Sequence, residues 1–480
     1  MVVIEMKKRF FEKLLFKQGI WVLIFASGAI YSLYGIVRHL RFQSLVYDLG
    51  IYDQMIWLVS QGKPLYSSLM DMPFWADHFN PSLILLAPLY WLWDNVVILL
   101  LFQAFFACFG ALPIWLLARK KTKDELFSLV IALAYVCFFG LQNALTYDFH
   151  PIVLAATLLA WLFYFYETKK DWFFWPILIV LLGLQENFAL LTIALGLYLV
   201  VRYRDFKKGI FISVLGGVWF LTAVFLIIPN FGKAEFIYLP TYLLQTSPLE
   251  MLKMLFYPWM KIKVMVASLL SFGFLPAFSP AILIILFEEF FQRFVGSPFQ
   301  ARWSVGYQYN VILGPVLALG AIEGFKKFFA KRRFLGIVMI LLGVILTQKY
   351  TSPATGKLLT REFYDFTKVK ETQAILNPIP KEASVAASNF LSPHLAHREK
   401  IILLTNCLEE KIVWEDQTKR CFSIEPDYLV ADLDPNLDPL GFYPDYSREK
   451  ISRYFDHLVQ SGQFELIKKQ GTLVLFKRIE

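Results

Sequence analysis

Charge is what this chain has least of. Asp, Glu, Lys and Arg make up 18% of its 480 residues, against about 25% in a soluble globular domain. That deficit, with a mean hydropathy of +0.52 and apolar runs near 20 residues, points to a polytopic membrane protein. Cysteine is also scarce. Cys108 and Cys137 fall in apolar runs and read as packing residues. Cys407 and Cys421 fall in the polar C-terminal part, where they can pair if that part lies outside the cytoplasm. The C-terminal part has no glycine-rich phosphate loop, zinc-ligand spacing or hydrolase triad, and the chain has no internal repeat. The net charge of +9 does not mark a nucleic-acid binder. The basic residues sit in short clusters between apolar runs, as the positive-inside rule places them.

Those clusters order the chain. Lys7, Lys8, Arg9, Lys13 and Lys17 form a cytoplasmic flank before a span at about 20–40. The run is long for a cleaved signal peptide and many spans follow, so it reads as a retained helix. Arg119-Lys-Lys-Thr-Lys123 closes a run at about 96–118, which leaves 41–95 outside. Pro81–Trp93 is too short to cross, so this outer segment is predicted to carry two surface-lying helices, at about 49–60 and 81–93. Further spans are predicted at 126–146 and 152–166, and twice within 172–201 about an outer turn at Gln185-Glu186-Asn187. Others follow at 209–228, twice around Phe278-Ser-Pro280, at 310–325 and at 334–349. The pattern predicts about eleven spans over 1–349, with the N-terminus inside and 350–480 outside.

Beyond Tyr350 the composition turns polar. Ser384–Ser388, Lys400–Leu404 and Asp427–Asp432 read as strands, with a helix at Phe390–Arg398. A second helix is expected at Ser447–Gln460, with Ser447 as N-cap and Gly462 as stop. Phe464–Lys468 and Thr472–Lys477 should form a hairpin over Gln470-Gly471. The expected fold class is an α-helical polytopic membrane protein with a small C-terminal α/β extracytoplasmic domain.

On this topology the outer ends of the spans collect Asp48, Asp53, Asp77, His78, Asp148, His150, Glu186, Glu288 and Glu289. Ionisable groups at membrane depth cost about 2.5–3.5 kcal/mol each on insertion scales, so they tend to be functional. Asp48, at the head of Tyr47–Trp57, is the candidate general base. Capping a helix over 49–60 is a compatible role. Asp53 lies ~140° further round a helix and is not its acid/base partner. Asp77-His78 and Asp148-Phe-His150 offer metal ligands, a relay or plain polar turns. A divalent cation (Mg or Mn) at Asp48, Asp148 and His150 is one reading, though no spacing specifies it. At most one of the adjacent Glu288 and Glu289 is expected to face a site. Lys261, Lys263, Arg293 and Arg302 are outer-face cations, suited to a lipid phosphate or to headgroup snorkelling.

These motifs resemble a family. Asp48-Leu-Gly-Ile-Tyr-Asp-Gln54 is similar to the D-L-G-x-x-D-Q signature of the prokaryotic membrane family catalogued as domain of unknown function 2079. His78-Phe-Asn-Pro81, Gly110-Ala-Leu-Pro113 with Ala118-Arg119, Asp148-Phe-His-Pro151 and Ser392-Pro-His394 also match. Where the family commonly has Lys-Glu-Asp, this chain reads Gln185-Glu186-Asn187 and keeps only the glutamate. The family resembles, in turn, the GT-C glycosyltransferases. Those polytopic enzymes take a sugar from a polyprenyl-phosphate donor on the outer side of the membrane and carry a catalytic aspartate in the first outer loop.

The resemblance implies a glycosyltransferase of the prokaryotic cell membrane. Its partners would be the bilayer, a polyprenyl-phosphate sugar and a glycan, lipid or protein acceptor, with Asp48 as base. Asp53, His78, Asp148, His150, Glu186 and Glu288 would support acceptor or metal, and Lys261, Lys263 and Arg302 the leaving phosphate. Two rivals stay open. One is a transporter or flippase built on broken helices near 185–187 and 278–280; the other is a non-catalytic membrane assembly protein.

Overall fold

The computed structural model describes residues 2–232, 236–351, 354–404, 426–433, 460 and 462–479. Each of the eleven apolar stretches expected above holds a helix, the conformation that satisfies a backbone internally in lipid. Among the described residues, Phe16–Leu40, Val97–Thr122 and Phe206–Gly232 are long and apolar enough to cross a membrane. Glu125–Val136 and Phe139–Leu145, bent by 45°, count as a fourth if taken together. The bend frees the carbonyl of Cys137, and the side-chain amides of Gln142 (2.6 Å) and Gln348 (2.7 Å) both donate to it. Pro151–Glu167, Asp171–Leu182 and Phe188–Tyr203 are apolar but shorter. The eleven expected crossings are therefore three or four long helices among shorter ones.

Two compact units alternate along the sequence. The first comprises 1–35, 75–83 and 99–358. Its helices approach closely where glycine permits. A Cβ on Gly196 would lie 2.4 Å from the Gly209 carbonyl oxygen, and one on Gly343 only 1.9 Å from that of Leu270. The uncharged turn at Ser279 is tied down by a buried carboxylate. Glu323 accepts from Ser279 Oγ (2.5 Å), Arg202 Nε (2.8 Å) and Tyr198 OH (3.3 Å).

The second unit comprises 36–74, 84–98 and 359–480. Strands β1 (Tyr66–Ser67) and β2 (Met72–Pro73) form a small antiparallel pair. Its main sheet contains β3 (Val385–Ala387), β4 (Ile401–Leu403), β5 (Tyr428–Asp432), β6 (Phe464–Gln470) and β7 (Leu473–Arg478), in the order β4-β3-β5-β7-β6. β3 pairs in parallel with β4 and β5, whereas β7 runs antiparallel to β5 and β6. Strand positions and the final hairpin follow the sequence pattern. The helix expected at Phe390–Arg398 is not there; only a 3-10 turn, Ser392–His394, forms. Pro393 disfavours a helical Ser392, and Ser392 Oγ bonds back to the carbonyls of Ala387 (3.2 Å) and Ser388 (3.0 Å). Cys407 and Cys421 lie outside the described residues, as does the 447–460 helix except for Gln460.

The unit boundary also differs from a division at 349. Most of the 41–95 segment belongs with the C-terminal sheet because its polar groups find partners there. The Ile401 N–H donates to Ser68 Oγ (2.9 Å), the Gln54 amide to Ser68 Oγ (2.8 Å) and the Arg398 carbonyl (3.2 Å), and the Val46 N–H to Asn389 Oδ1 (2.9 Å). Asp48 does not cap the following helix, Ile51–Ser60. It lies within a single π-helical turn, Val46–Gly50, that runs directly into it.

Candidate functional site

The first unit encloses a cavity of about 740 Å³ with walls of two kinds. Leu190, Ile193, Leu197, Phe220, Leu243 and Phe287 supply an apolar surface. His78, His150, Glu186, Tyr238, Arg302 and Tyr309 supply a polar one.

Two turns build the polar side. The Ser82 N–H donates to the Gly183 carbonyl (2.8 Å), and a Cβ on Gly183 would sit 2.2 Å from Ser82 Oγ and displace that hydroxyl, so glycine lets the turns meet without rearrangement. Three residues beyond Gly183, Glu186 is 2% exposed. Its Oε1 lies 2.8 Å from His78 Nδ1, and its Oε2 accepts from the Phe79 N–H (3.0 Å). Asp77 Oδ2 is 3.7 Å from His78 Nε2, while Asp77 Oδ1 accepts from Tyr238 OH (2.9 Å). The Tyr238 ring stacks on His78 with centroids 4.8 Å apart, and the Arg302 guanidinium lies over Tyr238 (5.7 Å) and Tyr309 (5.8 Å). Burial alone would lower the His78 pKa, but the Glu186 and Asp77 carboxylates outweigh it and raise it to about 9. At neutral pH the cluster therefore holds an imidazolium beside a guanidinium.

His150 behaves in the opposite way. Burial first, then the positive charges of His78 and Arg302, push its pKa down to about 3. Extended at φ −148° before Pro151, it accepts the Ile152 N–H on Nδ1 (3.2 Å) and so caps the helix Pro151–Glu167. Gln103, which belongs to none of the motifs above, clamps this turn. Its Oε1 accepts the His150 N–H (2.8 Å) and its Nε2 donates to the Asp148 carbonyl (3.1 Å). The available signal was a lone amide in a long apolar run. Asp148 itself is 1% exposed and does not line the cavity.

Glu288 and Glu289 are both among the residues around the cavity, on the helical stretch that also supplies Leu283, Ile284, Phe287, Phe291 and Gln292. One expectation needs correction. Lys261 is not a free cation. It is 4% exposed, and its ammonium donates to the Met254 and Phe294 carbonyls at 2.7 Å each. That leaves a structural tie in place of a phosphate ligand. Lys263 does not line this cavity; Arg302 does.

The second unit has its own cavity, of about 820 Å³, lined by Asp53, Trp57, Asp94, His394, His397 and charged side chains of the 381–400 segment. Asp53 is fully buried. Its Oδ1 accepts from Tyr90 OH and lies 3.1 Å from His397 Nε2. His397 Nδ1 is 2.8 Å from Asp94 Oδ1. Asp48 is half-buried and lines neither cavity. Among the described residues no group of three or more His, Cys, Asp or Glu is placed to hold a metal ion. The donor set expected for a divalent cation does not fit one, and no step below is routed through a metal.

The family described as "Predicted membrane protein (DUF2079)" matches residues 38–475. No curated protein matches the chain. Among solved structures, ArnT from Cupriavidus metallidurans bound to undecaprenyl phosphate aligns with a TM-score of 0.54 at 12% identity, covering 95% of this chain and 98% of that one. The apo state of the same protein aligns with a TM-score of 0.53, also at 12% identity, covering 96% and 98%. ArnT is a GT-C glycosyltransferase. The likeness shows a shared polytopic membrane fold.

Proposed function

The chain belongs to the DUF2079 family of predicted membrane proteins, and we propose that it is a GT-C-type glycosyltransferase of the cell membrane. It moves a sugar from a polyprenyl-phosphate donor to an acceptor on the outer face, with its N-terminus cytoplasmic and its C-terminal sheet outside. One observation carries this reading: a single cavity joins an apolar wall, fit for an isoprenoid chain, to the cationic pair His78 and Arg302, fit for a phosphate.

The base is taken from the family resemblance: an acceptor hydroxyl attacks the anomeric carbon with inversion and gives its proton to the Asp48 carboxylate, which itself lines neither cavity. The bond from that carbon to the phosphate oxygen breaks, and the electron pair leaves with the lipid phosphate. Arg302, a guanidinium able to bind phosphate in bidentate fashion, and the His78 imidazolium stabilise the departing charge. Glu186 and Asp77 hold His78 charged and in place; they do not touch the lipid phosphate.

Asp48→Asn is expected to abolish sugar transfer while membrane insertion and retention of undecaprenyl phosphate stay at the parent level. Full activity in that variant removes Asp48 from the mechanism. Arg302→Ala should weaken undecaprenyl phosphate retention about 10-fold or more, the loss of at least one charge-assisted hydrogen bond. A transporter reading has one observation in its favour. Both carboxylate oxygens of Glu288 are buried at the cavity wall with no hydrogen-bond partner, as in a proton-relay acid. Substrate uptake into proteoliposomes without consumption of a lipid-linked sugar would decide for it.

A further inference from the structure

The second unit's cavity differs in chemistry from the first. Here carboxylates outnumber Lys and Arg side chains five to three, and polar and apolar surface share the wall about equally. At its centre His397 anchors two carboxylates, each through Oδ1: buried Asp53 on one side and half-exposed Asp94 on the other. Trp57 joins the group. Its indole N–H donates to Asp94 Oδ1 (3.1 Å), and its ring stacks on His397 with centroids 5.6 Å apart and planes 19° off parallel.

Two atoms in this wall are left over. Asp53 Oδ2 and His394 Nε2 are buried and have no hydrogen-bond partner. A buried polar group left unpaired costs about 1–3 kcal/mol. Such groups beside a cavity are points that a bound water or a ligand hydroxyl can complete.

The requirements narrow the occupant. It must give a hydrogen bond to a carboxylate oxygen and exchange one with an imidazole nitrogen, which hydroxyls do. The excess of carboxylates disfavours an anion. Lys381, Arg398 and Lys400, with His397 clamped between Asp53 and Asp94, offset most of that excess and leave little to hold a cation. The partly exposed Trp57 ring offers an apolar surface for the C–H face of a pyranose. We infer that the cavity of the second unit binds an uncharged, hydroxyl-rich ligand, a glycoside or the end of a glycan, through Asp53, Asp94, His394 and Trp57. As a binding site it stands without the transfer reading; identifying the occupant as the sugar acceptor rests on that reading.

The test is saturation-transfer difference NMR on the full chain in lipid nanodiscs. The probes are methyl α-D-glucopyranoside, methyl α-D-mannopyranoside and methyl 2-acetamido-2-deoxy-β-D-glucopyranoside, with choline and glucose 6-phosphate as charged controls. At least one glycoside should show transfer to its ring protons, cut fivefold or more by Trp57→Ala and by Asp94→Asn. Asp94 is exposed, so Asp94→Asn carries the test if Trp57→Ala does not fold. Silence from all three glycosides, signals unchanged in the folded variants, or a charged control stronger than every glycoside each overturn the inference. A glycoside signal that falls in the variants, with no sugar transfer by the parent protein, supports the site and counts against the transfer reading alone.

Discussion

Replacing Glu186 by Gln tests whether the polar cluster of the first cavity holds a charged histidine. Glu186 is 2% exposed and bonds both His78 and the Phe79 N–H. An unfolded histidine titrates near pH 6.5; in the folded chain burial opposes the charged form of His78, but Glu186 and Asp77 lift its pKa to about 9. A group raised above its unfolded value contributes stability that is whole below about pH 6.5 and lost as pH rises through about 9. The gap corresponds to about 3 kcal/mol at most. Glutamine still accepts from Phe79 but removes the charge. That leaves Asp77, at 3.7 Å, to hold the imidazolium against burial. The variant should therefore lose stability at pH 6 by up to about 3 kcal/mol and approach the parent near pH 9.5. Denaturation of both proteins in the same detergent, from pH 6 to 9.5, reads the effect. Parallel stability profiles would refute the reasoning, because they would mean that His78 is not held charged by Glu186.

Lys261→Met should cost about 1–3 kcal/mol for each carbonyl left unpaired and leave undecaprenyl phosphate retention unchanged. Lost retention at full stability would restore Lys261 as a lipid ligand. Gly343→Ala places a methyl group 1.9 Å from the Leu270 carbonyl oxygen, so the helices Trp259–Ser271 and Arg333–Thr351 must separate. A loss of about 1–3 kcal/mol or more is expected, read as a lower denaturation midpoint. Gly217→Ala is its control: that Cβ meets nothing within 4 Å, and the change should be neutral or stabilise by up to about 1 kcal/mol. Equal behaviour of the two glycine variants would contradict the packing described.

The helices were legible because apolar length and basic clusters are local properties of the sequence. The glutamate at the Gln185-Glu186-Asn187 turn was legible for a related reason: a lone acid between apolar runs is costly unless something pairs with it. His78, itself singled out, proved to be that partner. Tertiary pairing was not legible. His397 meets Asp53 across 344 positions, and neither His397 nor Asp94 belongs to a motif that announces the contact. Net charge misled at Lys261, where a cation on the expected outer face is tied to two carbonyls. Helices do form within the segment at 41–95, at Ile51–Ser60 and Pro88–Leu92; what its apolar lengths did not announce is that its hydrogen bonds through Val46, Gln54 and Ser68 are made within the unit that contains the C-terminal sheet.

The two aspartates of the first motif now carry different weights. Asp53, expected only to support, is fully buried, anchored by Tyr90 and His397, and lines a polar cavity. A carboxylate in that setting is held rigidly, and one of its oxygens remains unpaired. Asp48 is half-buried on a π-helical turn and lines neither cavity. On the proposed reading the five-residue spacing separates two roles, a proton acceptor at Asp48 and a fixed hydrogen-bond acceptor at Asp53. Asp53→Asn should then weaken glycoside binding more than it slows turnover at saturating acceptor, and Asp48→Asn should do the reverse.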